Sequence, residues 1–257
     1  MTTWALRTCV DMEAVNLHLT ALEAAGLLGL AEEGGLATAY FPLRVDGLPV
    51  EGTWERVAER DWLAVWKEGL EPVTIGALTV APPWFDAGPG AVVIDPGQAF
   101  GTGHHETTTG CLAALQELDL AGRSVLDVGT GSGVLAIAAA RLGAGRVVGV
   151  DTDPLAVAAA RANAQVNGVD LEVREGSVDA AGPERFEVVV ANLDTGTLSR
   201  LAGALAERLA PGGALIASGV SVERQAEAVA ALERAGLPPL ARPGREWVVL
   251  LARSRTI

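Results

Sequence analysis

The sequence has little of what a metal site, a disulfide scaffold or a membrane span requires. Its 257 residues include two cysteines, Cys9 and Cys111, which are too few for a disulfide framework and too far apart for a Cys-x-x-Cys metal site. Its three histidines contain no His-x-x-x-His pair. No uncharged apolar run reaches the ~18 residues of a membrane helix. We therefore expect a cytoplasmic protein with no metal ion, membrane anchor or signal peptide.

Positive charge is also scarce. Lysine and arginine number 19 against 32 acidic residues, so the net charge is −13, and Lys67 is the single lysine. This balance excludes a broad phosphate-contacting surface, and we expect no direct binding of nucleic acid. It is compatible with a positively charged protein partner, because long-range attraction raises encounter rates. We expect the protein to be a monomer.

Hydrophobic patterning predicts two units of different character. Residues 1–53 combine short β-forming runs with one amphipathic stretch that begins at an Asp, which predicts a small, acidic α+β domain. Residues 54–70 alternate acids and bases around three tryptophans and predict a linker helix in which the tryptophans pack. The larger domain is expected at 71–257.

The larger unit alternates apolar runs with helical patterns. The predicted strands are 124–129, 146–151, 187–193 and 213–218, with a late strand at 247–252. The predicted helices are 133–142, 154–166, 196–209 and 222–235. Strands that are apolar on both faces belong to a parallel sheet covered by helices on both sides. The sequence therefore predicts an α/β fold with a mostly parallel sheet.

The strongest motif is D-x-G-x-G-x-G, formed by Asp127, Gly129, Gly131 and Gly133 between a strand and a helix. Glycines let a ligand approach the backbone, and a helix N-terminus offers free N–H groups. Asp151 follows Gly129 by 22 residues and ends the next strand, where a carboxylate can accept hydrogen bonds from both ribose hydroxyls. Together these features indicate a nucleoside-containing cofactor.

The identity of that cofactor depends on Asp127. The dinucleotide pattern G-x-G-x-x-G/A fails from Gly129, since it ends on Val134, but fits from Gly131, since it ends on Ala136. A carboxylate is unfavourable beside a pyrophosphate and suits a cofactor that carries an ammonium and a sulfonium. The motif therefore favours a class I methyltransferase that uses S-adenosylmethionine. A NAD-dependent oxidoreductase and a packed glycine turn without a ligand are the alternatives.

Asn192 ends the predicted strand at 187–193. Ligands of open α/β sheets bind beyond the carboxyl ends of the strands, so Asn192 is expected to contact the cofactor or to accept a hydrogen bond from a substrate amine. The alternative is that Asn192 caps the following helix.

The stretch DPGQAFGTGHHETT, residues 95–108, combines a glycine-rich loop with a predicted helix start. A phosphate loop is excluded because no G-K-[ST] follows, and adjacent histidines make a poor metal site. We expect a cofactor lid in which the hydroxyls of Thr107 and Thr108 reach a carboxylate or an adenine, although one threonine could instead cap the helix. His105 is a candidate proton acceptor.

IDPGQAFGTGHHETT, LDVGTGSGVLAIAA, GVDTDP and VVANL occur here in the order in which they occur in the ribosomal protein L-11 methyltransferase family (PrmA). The sequence resembles that family over nearly its whole length. The resemblance implies a Rossmann-like class I methyltransferase domain, a linker helix and an N-terminal substrate-recognition domain. It implies a protein-lysine N-methyltransferase that uses S-adenosylmethionine to methylate lysine side chains and the α-amino group of that ribosomal protein.

The family's cofactor-binding positions correspond to Thr108, Gly129, Asp151 and Asn192 of this sequence. One departure is visible: Asp194 and Thr195 follow the Asn-Leu pair, where the family usually has apolar or aromatic residues. A methyltransferase that acts on another protein or on a small amine is therefore an alternative.

Overall fold

A computed structural model of the protein describes residues 3–16, 18, 21–22, 25–27, 29–33, 35–57, 71–95, 101 and 103–255. The chain divides into two compact units, Met1–Leu70 and Glu71–Ile257. The second unit begins where the sequence predicts the larger domain to begin. Within the described residues, no helix combines the length and the apolar character needed to cross a bilayer.

The first unit contains a four-stranded antiparallel sheet in the order β2-β3-β1-β4. Its elements are β1 (Thr3–Thr8), α1 (Met12–Asn16), β2 (Gly29–Glu33), β3 (Leu36–Phe41) and β4 (Gly52–Val57). A small core of its own includes Leu6, Val15 and Phe41, all of which are buried.

The predicted linker helix is wrong at its beginning. Residues 54–57 belong to β4, which pairs with β1 so that Trp54 lies opposite Leu6. The Trp54 ring packs edge-on against Phe41, with 5.5 Å between the ring centroids. The three-residue spacing of Trp54 and Val57 resembles a helical pattern, but pairing with β1 and packing on Phe41 favour a strand. Residues 58–70 of the predicted helix lie outside the described residues.

The second unit begins with a three-stranded sheet that the sequence analysis did not predict. It consists of β5 (Val73–Ile75), β6 (Leu78–Ala81) and β7 (Val92–Val93). Strand β6 pairs with β5 in antiparallel and with β7 in parallel fashion. The strands have two to four residues, too few for an alternation to stand out in the sequence.

The main sheet has seven strands in the order β10-β9-β8-β11-β12-β14-β13. Its strands are β8 (Ser124–Val128), β9 (Arg146–Asp151), β10 (Glu172–Glu175), β11 (Phe186–Asn192), β12 (Leu209–Ser221), β13 (Leu240–Pro243) and β14 (Trp247–Arg253). The α-helices of this unit are α2 (Glu106–Gln116), α3 (Val134–Arg141), α4 (Pro154–Asn167), α5 (Thr195–Arg208) and α6 (Gln225–Arg234). Short 3-10 helices lie at Val178–Ala181 and Val222–Arg224.

The α/β prediction is confirmed. Strands β10, β9, β8, β11 and β12 are parallel. At one edge β14 pairs with β12 in antiparallel fashion, and β13 pairs with β14 in antiparallel fashion. Alternate β8 residues enter different core clusters, with Leu126 on one face and Val125 on the other, so both faces of the sheet are covered. The chain runs outward from β8 in one direction and restarts at β11 on its other side. That reversal opens a crevice at the carboxyl ends of the two strands.

Candidate active site

A cleft of about 520 Å³ lies at this reversal. Its walls come from the carboxyl ends of β8, β9 and β11 and from the turn that follows β10. The lining residues are Val128, Gly129, Gly131, Asp151, Thr152, Asp153, Ala156, Gly176, Ser177, Asn192, Leu193, Asp194, Thr197 and Leu201. Four of the nine predicted site residues, Gly129, Gly131, Asp151 and Asn192, lie in the walls.

The glycine loop depends on backbone conformations that other residues rarely adopt. Gly129, Gly131 and Gly133 have φ values of +73°, +55° and +84°. A Cβ on Gly129 would lie 2.5 Å from Cδ2 of Leu193, and a Cβ on Gly133 would lie 3.2 Å from Cα of Ala160. The loop is therefore shaped for close approach of Leu193 on one side and of α4 on the other. Gly133 itself is the N-cap position of α3 and does not line the cleft.

Asp151 fixes the glycine loop and also faces the cleft. Its Oδ2 accepts a hydrogen bond from the Gly131 N–H at 2.9 Å, and its Oδ1 accepts one from the Asp153 N–H at 3.0 Å. Each carboxylate oxygen retains a second lone pair. Asp151 can therefore accept hydrogen bonds from a ligand's hydroxyls without giving up the loop.

Asp127, which the sequence predicts to bind the cofactor, is buried behind the glycine loop. Its side chain is 1% exposed and lies beneath the loop, so it is not part of the cleft wall. Its Oδ2 accepts a hydrogen bond from the Thr130 hydroxyl at 2.8 Å, while Oδ1 has no partner of normal geometry among the described residues. The motif carboxylate thus supports the loop from below, because the alternating strand directs residue 127 into the core.

Burial determines the ionisation of Asp127. Desolvation raises its pKa to about 7. The Thr130 hydroxyl and the backbone N–H of Ala136 oppose this shift, and the negative charge of Asp151 adds to it. A carboxyl group that titrates near neutrality therefore lies directly under the loop.

Thr107 and Thr108 are 2% and 0% exposed and lie outside the cleft wall. Their contact with a ligand stays a prediction. Thr108 instead supports Asn192, whose Nδ2 lies 3.4 Å from the Thr108 hydroxyl oxygen. The two residues are 84 positions apart in sequence. Helix α2 therefore braces the Asn192 side of the cleft from behind.

His105 is the N-cap of α2 and is not part of the cleft wall. Its Nδ1 lies 2.8 Å from the hydroxyl of Thr107, and its ring packs edge-on against Trp247 with 5.1 Å between centroids. The helix-capping alternative that the sequence raised for a threonine is thus fulfilled by His105. Much of the predicted lid, residues 96–100 and 102, lies outside the described residues.

Asn192 is not a helix cap. Asp194 caps α5 instead, since its Oδ1 accepts hydrogen bonds from the N–H groups of Gly196 and Thr197, each at 3.0 Å. The side chain of Thr197, together with these backbone bonds, holds the pKa of Asp194 below its usual range. The departure noted at Asp194 therefore has a structural reason, and Asn192 keeps its amide for the cleft and Thr108.

The described lining residues include three carboxylates, Asp151, Asp153 and Asp194, and no lysine, arginine or histidine. Each carboxylate accepts at least one backbone N–H, at a loop or at a helix start. Sequence reasoning missed Asp153 and Asp194, although both are acids at the start of a predicted helix and could have been found by the capping rule. The cleft therefore favours a ligand with positive charge.

Comparison with known proteins agrees with this geometry. The family model described as "Ribosomal protein L11 methyltransferase (PrmA)" matches residues 35–255. A relative from Thermus thermophilus, named ribosomal protein L11 methyltransferase, is 43% identical over 96% of this chain and 98% of its own length. A relative of the same name from Deinococcus radiodurans is 43% identical over 92% and 93% of the two chains.

A solved structure gives the same result at the level of the fold. The crystal structure of ribosomal protein L11 methylase from Lactobacillus delbrueckii subsp. bulgaricus superimposes with a TM-score of 0.67 at 31% identity. It covers 73% of this chain and the whole of that chain. The match of the family model and the full-length relatives establish the relationship predicted from the four motifs. This chain belongs to the ribosomal protein L11 methyltransferase family.

Proposed function

We propose that this protein transfers methyl groups from S-adenosylmethionine to lysine side chains and to the α-amino group of ribosomal protein L11. The observation that carries the proposal is the cleft at the sheet reversal, which joins a glycine loop, three carboxylates and Asn192. The family relationship and the names of the relatives support the choice of acceptor.

The charge of the cleft supports this cofactor over a dinucleotide. The pyrophosphate of NAD would bring negative charge into a wall that contains Asp151, Asp153 and Asp194 and no described cation. S-adenosylmethionine carries a sulfonium and an ammonium, and its ribose hydroxyls suit the free lone pairs of Asp151. A side chain at Gly129 would displace Leu193, which is part of the cleft wall, so the shape of the cleft depends on this glycine.

When bound, S-adenosylmethionine supplies a methyl carbon on a positively charged sulfur that departs as a neutral thioether. The acceptor amine must be neutral at that moment, because an ammonium has no lone pair. Deprotonating a free lysine near pH 7.4 costs about 4 kcal/mol. A nearby positive charge and partial burial both lower the pKa of the amine, so a strong general base is not required.

Asn192 is the residue that we assign to the acceptor amine. Its Nδ2 is directed to Thr108, which leaves the carboxamide oxygen as the group that can accept a hydrogen bond from the amine's N–H. Orienting the nitrogen in this way contributes through proximity and alignment. His105 remains a candidate proton acceptor, although its position as a helix cap places it outside the cleft wall.

The smaller unit, for which the sequence predicts residues 1–53 as a domain, is proposed to recognise the substrate. Its acidic character suits a positively charged protein, and lysine-bearing acceptors have such surfaces. We further propose that the protein acts as a monomer in the cytoplasm, where ribosomal proteins are made.

The deciding experiment incubates purified ribosomal protein L11 with the enzyme and S-adenosylmethionine and measures the mass of the product. We expect mass gains in multiples of one methyl group, and a rate of gain about 30-fold lower with the Asn192→Ala enzyme. Calorimetry with S-adenosylmethionine and NAD tests the cofactor separately. Cofactor binding without any gain in L11 mass would redirect the acceptor to another protein or a small amine.

A further inference from the structure

Helix α4 carries two asparagines, Asn163 and Asn167, that are only 2% and 5% exposed. Asparagine is a weak helix former, and its amide must be satisfied when it is buried. Both side chains bind the backbone of another segment. Asn167 accepts from the Val93 N–H at 2.8 Å and donates to the Val93 carbonyl at 2.6 Å. Asn163 accepts from the Asp95 N–H at 3.0 Å.

The two spacings match. Four residues along a helix advance about 6.0 Å, and two residues along a strand advance about 6.6 Å. The carboxamides of Asn167 and Asn163 can therefore bind the backbone groups of Val93 and Asp95, which are two residues apart on β7 and its continuation. In effect the helix replaces a neighbouring strand at this edge.

Asn163 makes one contact that Asn167 does not. Its Nδ2 donates to the Ser132 carbonyl at 2.8 Å, within the glycine loop. The Ser132 hydroxyl in turn donates to the Gly101 carbonyl at 2.6 Å. Ser132 is completely buried. Asp95 and Gly101 are thus both connected to Ser132 of the glycine loop. Gly101 binds Ser132 directly, and Asp95 is connected to it through Asn163.

The approach at Gly101 is close. Its φ is +108°, and a Cβ there would lie 2.9 Å from the Ser132 hydroxyl oxygen. Neither Ser132 nor Asn163 lines the cleft, so neither is placed to touch a bound cofactor. Ser132 is nevertheless the neighbour of Gly131, whose N–H binds Asp151. A shift of Ser132 is therefore transmitted to the cleft wall within one residue.

We propose that Asn163 and Ser132 are positioning residues for methyl transfer, which couple the chain at Asp95 and Gly101 to the glycine loop and so set the loop's shape for the cofactor. The inference rests on the proposed use of S-adenosylmethionine. Asn167, by contrast, secures the strand without reaching the loop.

The test compares Asn163→Asp with Asn167→Asp in the full-length enzyme. Each change preserves one acceptor oxygen and replaces the NH₂ donor with an oxygen that faces a carbonyl. Asn167 also donates to the Asn163 carbonyl at 2.8 Å, so N167D loses two carbonyl partners and N163D one. N167D should therefore lower the melting temperature at least as much as N163D.

Calorimetry with S-adenosylmethionine, at a temperature where both variants are folded, separates the two roles. We expect N163D to weaken binding about tenfold and N167D less than about twofold. Equal affinity losses in the two variants, or unchanged affinity in N163D, would overturn the proposal, since either result makes Asn163 a stability residue only.

Ser132→Ala provides an independent test that does not alter α4. It removes the hydroxyl that binds the Gly101 carbonyl, and we expect a rise in the dissociation constant of about fivefold or more with a fall in melting temperature no larger than that of N167D. Unchanged affinity contradicts the coupling. If the wild-type enzyme itself fails to bind S-adenosylmethionine, the proposed function fails, whereas wild-type binding that both N163D and S132A retain defeats only this inference.

Discussion

The two walls of the cleft are built by different means. The glycine wall, formed by Gly129, Gly131 and Asp151, is shaped by backbone conformation and by hydrogen bonds to backbone N–H groups. The asparagine wall, formed by Asn192, Leu193 and Asp194, is held by a helix cap and by the contact between Asn192 and Thr108. The first wall is local in sequence apart from Asp151, and the second depends on α2, 84 residues away from Asn192.

The difference indicates a division of work. A wall made of backbone presents N–H groups in fixed positions and lets a ligand come close to them, which suits binding of an invariant cofactor. A wall made of side chains presents an adjustable amide, which suits orientation of an acceptor. Damage to the glycine wall should therefore reduce cofactor affinity, and damage to the asparagine wall should reduce turnover.

The largest effect is expected from Gly129→Ala. An alanine at φ +73° is strained, and its Cβ would displace Leu193, so both walls would move. We expect S-adenosylmethionine affinity to fall by about 100-fold, measured by calorimetry. Gly122→Ala is the matched control, since Gly122 has φ +72° and a Cβ there meets nothing within 4 Å. G122A should carry the same backbone strain and keep its affinity for S-adenosylmethionine. A similar loss of affinity in G122A would mean that the loss in G129A does not come from the glycine wall.

The next effect tests the other wall. Asn192→Ala removes the amide that we assign to the acceptor amine, and we expect the turnover number to fall about 30-fold. The dissociation constant of S-adenosylmethionine should change less than about threefold. Steady-state kinetics with ribosomal protein L11 and calorimetry measure the two quantities. Weaker cofactor binding with normal turnover at saturation would show that the two walls share one role.

A smaller effect concerns pH and the carboxyl under the glycine wall. The pKa of Asp127 is raised to about 7 in the folded protein, whereas an unfolded aspartate has a pKa of about 3.9. The folded state therefore binds the proton more tightly, and the free energy of unfolding falls as pH rises from about 4 to about 7. We expect Asp127→Asn to remove this loss, which is at most about 1.4 kcal/mol for each pH unit within the window.

Urea unfolding of both proteins at several pH values between 4 and 8 measures this difference. The stability of D127N relative to the wild type should increase with pH up to about 7 and then become constant. A difference that does not vary with pH would mean that Asp127 is ionised normally beneath the loop. In the asparagine wall the dependence of stability on pH has the opposite sign. The pKa of Asp194 is lowered in the folded protein, so its contribution to the free energy of unfolding is lost as the solution is acidified.

The smallest effect is expected from the cap of α5. Asp194→Ala removes the acceptor of two backbone N–H groups and should cost about 1 kcal/mol of stability. Asp194→Asn retains a capping oxygen and should cost only a few tenths of that amount. Thermal unfolding distinguishes them. An equal loss of L11 turnover in D194N and D194A, both of which lack the carboxylate charge, would instead assign that charge to the acceptor.

Sequence reasoning succeeded where the signal is local. The D-x-G-x-G-x-G motif, Asp151 and Asn192 each follow an apolar run that becomes a sheet strand, so the strand-end rule placed Gly129, Gly131, Asp151 and Asn192 in one cleft. The principal sheet strands were predicted to within a few residues because both faces are buried and the runs are continuous.

Failures arose where a tertiary contact outweighs a local pattern. Residues 54–57 have a helical spacing but pair with β1, and the short strands β5–β7 and β10 have too few residues to show a pattern. The ligand contacts of Asp127, Thr107 and Thr108 stay predictions; the three side chains are buried and lie outside the cleft wall. Ser132 lies within the motif and Asn163 within a predicted helix, yet neither was singled out, since their partners are more than 30 positions away.

The order of residues by itself determined the α/β class, the glycine loop, the acid at the end of β9 and the family. These follow from hydrophobic periodicity and from backbone conformations that only glycine adopts easily, both of which are properties of short segments. Only the tertiary structure decided which polar side chains face the cleft and which support it from behind. That choice depends on burial and on hydrogen bonds between distant segments. Asp127 and Asp151 both belong to sheet strands, yet the side chain of Asp127 lies in the core and that of Asp151 lies at the cleft.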